Sequence, residues 1–158
     1  MADLSDDKRK ELFAFLAARQ LAVIATADAA GTPEAALMNY AVTPSLEIIF
    51  ETTSETQKYP NLKRNPLIAL VAGWDGPVTL QYRGLAEEVA GPAKAAARDI
   101  FLAAFPQKVS HESWPGNFYF RVRPLWIRFS SYYQPRRVEE YRLGALPAAR
   151  PWWKRHIG

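Results

Sequence analysis

The sequence predicts a mainly β protein of the α+β class: an antiparallel barrel with one helix at the N-terminus and another inserted late in the chain. Two observations lead to this prediction. Segments with strand character outnumber helical segments, and short turns join them in hairpin order. The helical patterns do not alternate regularly with the strands, so a parallel βαβ sheet accounts for the order less well.

The first part of the chain is predicted to form a helix followed by a hairpin. A capping residue, Ser5, precedes acidic residues and an apolar helical face, so we expect a helix from about Asp6 to Arg19 within an N-terminal segment 1–20. The hairpin is expected to consist of a strand at 21–26, a turn at 28–33 and a returning strand at 34–43.

The middle of the chain is predicted to hold three strands and one short helix. The helix is expected at 56–64, where Pro60 either occupies the first turn or introduces a kink. The strands are expected at 46–51, 67–73 and 78–90, with a strong turn signal at 74–77 between the last two.

The last part is predicted to add the inserted helix and the closing strands. An alanine-rich helix is expected at 93–105, after Gly91 and Pro92, and the residues at 106–116 have the composition of a loop. Two strands are expected at 117–122 and 125–131, separated by a break or bulge at Arg123 and Pro124.

The length of 158 residues favours a single domain over 1–158, ending in a C-terminal tail at 144–158. The chain has no cysteine, which excludes disulfides, thiolate zinc sites and cysteine nucleophiles, and its two histidines are too few for an expected metal centre. Neither a signal peptide nor an apolar run of membrane-spanning length is recognisable, so we expect a cytoplasmic protein without membrane contact.

A group of hydroxyls and one cation follows the predicted strand at 46–51. Thr52, Thr53, Ser54 and Thr56 offer O–H donors, and Lys58 adds a positive charge. With a helix beginning beside them, such groups are typical of a phosphate site. The alternative is an ordinary strand-to-helix turn in which Ser54 or Thr56 caps the helix and Lys58 is solvated.

Several short motifs follow one another in order along the first half of the chain. They are Leu21–Thr26, Gly31-Thr32-Pro33, Ala36-Leu37-Met38, Phe50–Lys58, Asn61-Leu62, Asn65-Pro66, Trp74 and Gln81–Glu87. As an ordered set they resemble the pyridoxamine 5'-phosphate oxidase-like family of flavin-binding split β-barrels, and 121–132 fits the closing strands of that family. The resemblance implies a homodimer that binds FMN at the subunit interface.

The resemblance also implies roles for individual residues. It assigns the FMN phosphate to Thr52, Thr56, Gln57 and Lys58, beside which the hydroxyl of Thr53 is a further candidate, and the flavin ring to the backbone of Leu37, Met38 and Asn39. Ala36 and Ala41 stand where the true oxidases carry an arginine and a lysine, which leaves Lys58 as the expected main cation for the phosphate.

Two later strands supply further candidates. Thr79 and Gln81 either reach the polar edge of the flavin or are simply outward polar positions of a barrel strand. Trp126 and Arg128 lie two residues apart and therefore share one strand face. The resemblance implies that this pair extends toward the partner's flavin, whereas a core position is the alternative for Trp126.

Together these implications lead to an FMN-binding oxidoreductase that acts on a small molecule. Pyridoxamine phosphate is not the expected substrate, because the residues that hold its phosphate in the true oxidases have no counterpart at 92–116. The alternatives are a deazaflavin-dependent reductase and a non-catalytic flavin- or haem-binding protein. His111 is either a proton donor or a surface histidine without a role. The tail, with Trp152 and Trp153, is expected to pack on the dimer and not to bind nucleic acid.

Overall fold

The computed structural model describes residues 4–146, so most of the predicted tail, including Trp152 and Trp153, lies outside the described residues. The helices are α1 (Asp6–Ala17), α2 (Lys58–Arg64), α3 (Gly91–Ala104) and a 3-10 helix (Pro106–Ser113). The strands are β1 (Leu21–Ala27), β2 (Pro33–Asn39), β3 (Ala41–Val42), β4 (Ile48–Thr53), β5 (Leu67–Ala72), β6 (Val78–Glu88), β7 (Asn117–Ser131) and β8 (Arg137–Arg142). The predicted order of elements is confirmed up to β7, except that the strand predicted at 34–43 is divided into β2 and β3 and that the 3-10 helix was not predicted.

All eight strands belong to one antiparallel sheet. Its strand order is β2-β1-β5-β6-β7-β4-β3, and β8 pairs with the part of β7 that extends beyond β4. The two end strands, β2 and β3, follow one another in the chain with a single residue between them. The sheet therefore has to curl until its ends meet, which gives the predicted barrel-like form.

The residue at this junction is Tyr40, and it divides the strand that was predicted to be continuous at 34–43. Its backbone N–H donates to the carbonyl of Gln20 (3.3 Å), and its buried hydroxyl donates to the carbonyl of Leu16 (2.8 Å). The backbone bond extends the β1–β2 register by one pair and the hydroxyl bond reaches α1, whereas Ala41, the next residue, pairs with Ile49 of β4. Burial also raises the pKa of the Tyr40 hydroxyl far above its ordinary value.

Two apolar cores lie on opposite faces of the curled sheet. The larger core fills the barrel and includes Leu12 and Leu16 of α1, whose N-cap Ser5 accepts a hydrogen bond from the Lys8 N–H (3.3 Å). The smaller core joins Ile49 of β4 to Phe101 of α3. Since neighbouring residues of a strand face opposite ways, β4 directs 50 and 52 into the barrel and 49, 51 and 53 toward α3.

Of the break or bulge predicted at Arg123 and Pro124, the structure shows the bulge, so the two predicted closing strands form one continuous strand, β7. The register with β6 shifts between Arg83 and Gly84, and the extra residue on β7 is Leu125. Pro124 cannot donate a ladder hydrogen bond, and the bulge absorbs it without ending the strand. The Leu125 carbonyl accepts the backbone N–H of Leu143 (2.9 Å), just beyond the unpredicted strand β8.

The segment predicted as a loop at 106–116 contains the 3-10 helix, which begins at Pro106 directly after α3. A proline suits the first position of a helix because its missing N–H has no partner there. None of the helices in the described part of the chain is long and apolar enough to cross a membrane.

Candidate functional site

A cleft of about 310 Å³ opens where β2, β4, the start of α2 and the 3-10 helix meet. One side of the cleft, formed by β2, β4 and the start of α2, carries seven of the predicted site residues. They are Leu37, Met38 and Asn39 on β2, Thr52 and Thr53 on β4, and Thr56 and Lys58 at the beginning of α2. The structure thus brings the two segments that were predicted to hold a phosphate and a flat ring into one cavity.

The hydroxyls of Thr52 and Thr56 form a bonded pair. Their Oγ1 atoms are 2.8 Å apart, and the Thr56 hydroxyl donates to the carbonyl of Thr53 (3.0 Å). Because each hydroxyl has one proton, Thr52 is the donor within the pair. Helix α2 begins at Lys58, two residues later than predicted. Its N-cap residue is Gln57, which makes no capping hydrogen bond with its side chain, and neither Thr56 nor Ser54 caps the helix. The capping alternative is therefore wrong.

Lys58 is a half-buried cation in the cleft. Burial lowers the pKa of its ammonium group, and the charge of Glu34 opposes this effect only in part. Among residues 4–146, no carboxylate lies within ion-pair distance of the Lys58 Nζ. A bound anion would restore the electrostatic balance of this lysine, so the residues fit a phosphate group.

The opposite wall of the cleft is organised by one carboxylate, Glu51. Its Oε1 accepts hydrogen bonds from the Lys108 Nζ (3.2 Å) and the His111 Nδ1 (2.8 Å), and its Oε2 accepts one from the Asn117 Nδ2 (3.1 Å). The Glu51 side chain is only 9% exposed. Since a carboxylate only accepts, Nδ1 of His111 carries the hydrogen in this bond.

Trp114 completes this wall, because its ring stacks on the His111 ring with 3.9 Å between centroids and 20° between planes. Sequence reasoning missed the wall by assigning 106–116 to a loop. The signal was present, however: Lys108, His111 and Trp114 follow at intervals of three residues, which places the first two on one face of the 3-10 helix and Trp114 directly after its end.

The remaining five candidates do not line the cleft within this chain: Gln57 holds the N-cap position of α2, and the other four lie on β6 and β7. Thr79 and Gln81 of β6, and Trp126 and Arg128 of β7, are on the outer face of the sheet. Arg83 stacks over the Trp126 ring at 4.2 Å, and Arg128 pairs with Glu140 at 3.4 Å. Trp126 is half-buried on this outer face, so its alternative assignment to the barrel core is wrong.

The outer face nevertheless leads to the cleft. The strand register places one residue from each of five adjacent strands in a single row, and this row is Leu37, Val23, Val71, Gln81 and Arg128. Leu37, which is 59% exposed, is part of both the row and the cleft. A molecule that covers the outer face would therefore also border the cleft.

Comparisons with known proteins agree with this architecture. The family model described as pyridoxamine 5'-phosphate oxidase matches residues 9–131. The haem-binding protein of Mycobacterium smegmatis superposes with a TM-score of 0.74 at 19% identity, over 90% of this chain and 60% of its own. A candidate pyridoxamine 5'-phosphate oxidase from Listeria innocua gives 0.66 at 21%, over 77% and 96%.

A third solved structure, the haem storage protein HutZ of Vibrio cholerae, gives a TM-score of 0.58 at 15% identity, over 78% of this chain and 91% of its own. No curated protein shows significant sequence similarity to the chain. The structural likenesses confirm the predicted split-barrel fold. The chain spans less than two thirds of the mycobacterial protein, which has further residues outside the shared part.

Proposed function

The chain belongs to the pyridoxamine 5'-phosphate oxidase family, and we propose that it is an FMN-binding oxidoreductase that acts on a small molecule other than pyridoxamine phosphate. One observation carries the proposal: the half-buried Lys58 shares a cleft with the paired hydroxyls of Thr52 and Thr56. A phosphate monoester supplies the negative charge that would pair with the Lys58 ammonium group. Its oxygens also accept hydrogen bonds from the threonine hydroxyls.

In this proposal the chain binds and orients the cofactor. Lys58 neutralises the phosphate, and Thr52 turns its proton from Thr56 to a phosphate oxygen. The backbone of Leu37, Met38 and Asn39 borders the flavin ring. Bound FMN supplies hydride transfer, while the protein groups determine its position and surroundings.

The proposed substrate differs from that of the true oxidases for a structural reason. Ala41 stands where those enzymes carry a lysine, and it is only 6% exposed, packed in the smaller core with Ile49 and Phe101. This position offers no cation to a substrate phosphate, and the neighbouring apolar side chains leave no polar replacement.

A second candidate function is haem binding, which one feature of the cleft favours. A histidine that ligates a metal usually donates a hydrogen bond from its other ring N–H, often to a carboxylate, as His111 does from Nδ1 to Glu51. Two structural relatives carry haem-related names, the mycobacterial and the Vibrio proteins. In this alternative Lys58 pairs with a haem carboxylate in place of a phosphate.

The absorbance spectrum of the purified protein separates the two functions. We expect flavin bands near 450 nm, on the order of one FMN per chain after reconstitution, and release of FMN on denaturation, identified by mass spectrometry. A Soret band that forms on adding haemin, with no FMN uptake, would favour the haem alternative. A released deazaflavin would identify the reductase predicted as a further alternative.

A further inference from the structure

We infer that His111 is a catalytic residue that hydrogen bonds the substrate through Nε2 and donates a proton to it. The inference rests on the proposed function and specifies the substrate class: a quinone or conjugated carbonyl that takes up a hydride and a proton. Glu51 and Trp114 act as positioning residues for the imidazole ring.

The orientation of the ring follows from its two contacts. Nδ1 is held by Glu51 at 2.8 Å, and the ring face is covered by Trp114 at 3.9 Å. Nε2 lies on the other edge of the imidazole and has no hydrogen-bond partner among residues 4–146. Because the His111 side chain lines the cleft and is 23% exposed, Nε2 is the ring nitrogen available to a molecule bound there.

The charged groups around the His111 ring indicate that Glu51 orients the imidazole and does not simply pair with its charge. Lys108 binds the same Oε1 of Glu51 as His111 does, so the carboxylate charge is already balanced. The carboxylate of the neighbouring Glu112 accepts a hydrogen bond from the Tyr119 hydroxyl. Lys58, across the cleft, is assigned to the phosphate. Among the described residues of the cleft, His111 is therefore the side chain that can transfer a proton and has a ring nitrogen, Nε2, without a hydrogen-bond partner.

A purely structural role explains the histidine less well. Lys108 and Asn117 already tie their segments to Glu51, and Asn117 also donates to the carbonyl of His111 (3.3 Å). Any side chain with one N–H donor would complete this network. Only an imidazole also presents a second nitrogen that gains and loses a proton.

The proposed step balances as a two-electron reduction. Reduced FMN, when bound, would supply the hydride for the substrate carbon or quinone ring, and a C=O or conjugated π bond of the substrate would open. The electron pair released onto oxygen takes the proton from Nε2–H of the imidazolium, and the N–H electron pair stays on nitrogen. Water at the cleft mouth then returns a proton to His111, and the product has gained two hydrogens.

The experiment compares two oxidants of the FMN-loaded, reduced protein in stopped flow. Menadione accepts electrons together with protons, whereas ferricyanide accepts electrons alone. The test variant is His111→Asn, whose amide keeps a donor toward Glu51 but has no proton-transferring nitrogen. Ser110→Ala, at an exposed neighbouring position of the same 3-10 helix, is the matched control.

We expect His111→Asn to bind FMN and to melt like the parent, to react with ferricyanide at the parent rate, and to react with menadione at least about tenfold more slowly. Independently of turnover, ¹⁵N shifts of the neutral imidazole in the apo protein should show Nδ1 protonated and Nε2 bare. A parent-like menadione rate in FMN-loaded His111→Asn, or the opposite tautomer, would overturn this inference and leave the proposed function standing. If the parent takes up no FMN, the proposed function fails and the inference falls with it.

Discussion

Lys58 is the residue at which binding and stability oppose one another. Its ammonium group is half-buried, and burial lowers its pKa because the charged form loses hydration. A lysine whose pKa is lower in the folded than in the unfolded state destabilises the fold at neutral pH. This penalty disappears only as the pH rises through the alkaline range toward the ordinary lysine value. An anion bound in the cleft favours the charged form of Lys58, so it raises this pKa and removes the penalty.

Replacing Lys58 by methionine should therefore separate the two effects. Lys58→Met keeps most of the apolar stem but removes the charge, so FMN binding should weaken by about 1.5–3 kcal/mol, the range for a hydrogen bond to a charged group. The apo variant should melt at a higher temperature than the apo parent. FMN fluorescence titration and thermal melts measure the two changes.

The control for this experiment is Lys63→Met on the same helix. The Lys63 ammonium group is exposed and pairs with Glu88 at 2.7 Å, outside the cleft. The Lys63→Met substitution should therefore change FMN affinity little. Parent-like FMN affinity in Lys58→Met, or an equal loss in Lys63→Met, would show that Lys58 is not the phosphate cation.

At the scale of elements, the bulge in β7 opposite Gly84 of β6 explains how one strand can pass through a proline. Gly84 sits at the register shift opposite Pro124. A Cβ atom at Gly84 would lie 2.5 Å from Cγ1 of Val122 and 2.8 Å from the Arg123 carbonyl oxygen. The absence of a side chain is thus what lets β6 approach β7 at this point.

Gly84→Ala should destabilise the protein by about 1–3 kcal/mol, the usual cost of overpacking a close contact. Chemical denaturation measures this change. Gly76→Ala is the matched control, because no atom lies within 4 Å of a Cβ built at Gly76. Equal stability of the two variants would contradict the role assigned to the close approach.

Elements whose signal is local were predictable from the sequence. The apolar spacing and capping of α1 and the hairpin of β1 and β2 depend on neighbouring residues, and they occur within a few residues of their predicted positions. Strand β8 was not predictable, because it is mostly charged and only Tyr141 is buried. Strand β8 is stabilised by pairing with β7, and the local sequence pattern of 137–142 does not indicate this pairing.

The same distinction divides the cleft into a predictable and an unpredictable half. Thr52, Thr56 and Lys58 are close in sequence, and their chemistry can be read together. Glu51 meets Lys108 and His111 only in the folded chain, across 57 and 60 residues. A histidine in a polar segment looks like a surface residue until its distant carboxylate is known.

At the scale of the whole molecule, the outer face of the sheet carries an uncovered apolar area. Leu37, Val23 and Val71 are neighbours in one register row, and Leu37 and Val71 are 59% and 39% exposed. The row continues into the polar Gln81 and Arg128. Exposed apolar residues that adjoin in this way, with a polar border, are typical of protein interfaces.

We propose that a second copy of the chain covers this face, as the family resemblance implies. Gln81, Trp126 and Arg128 of one copy would then lie near the cleft of the other, since Leu37 belongs to both surfaces. This arrangement accounts for predicted site residues that lie outside the cleft of their own chain. Dimerisation and FMN binding should accordingly be linked.

Val71→Asp tests this link by placing a charge in the apolar row. Light scattering of the parent at micromolar concentration should give twice the chain mass of 17.8 kDa, and the variant should give the chain mass itself. Burying an unpaired charge in an interface is costly, so the variant should also bind FMN more weakly by on the order of tenfold or more. Val109→Asp, at a 62% exposed position of the 3-10 helix, is the control and should remain dimeric. A monomeric parent would refute the dimer, whereas a monomeric Val71→Asp with undiminished FMN affinity would show that each cleft is complete within one chain.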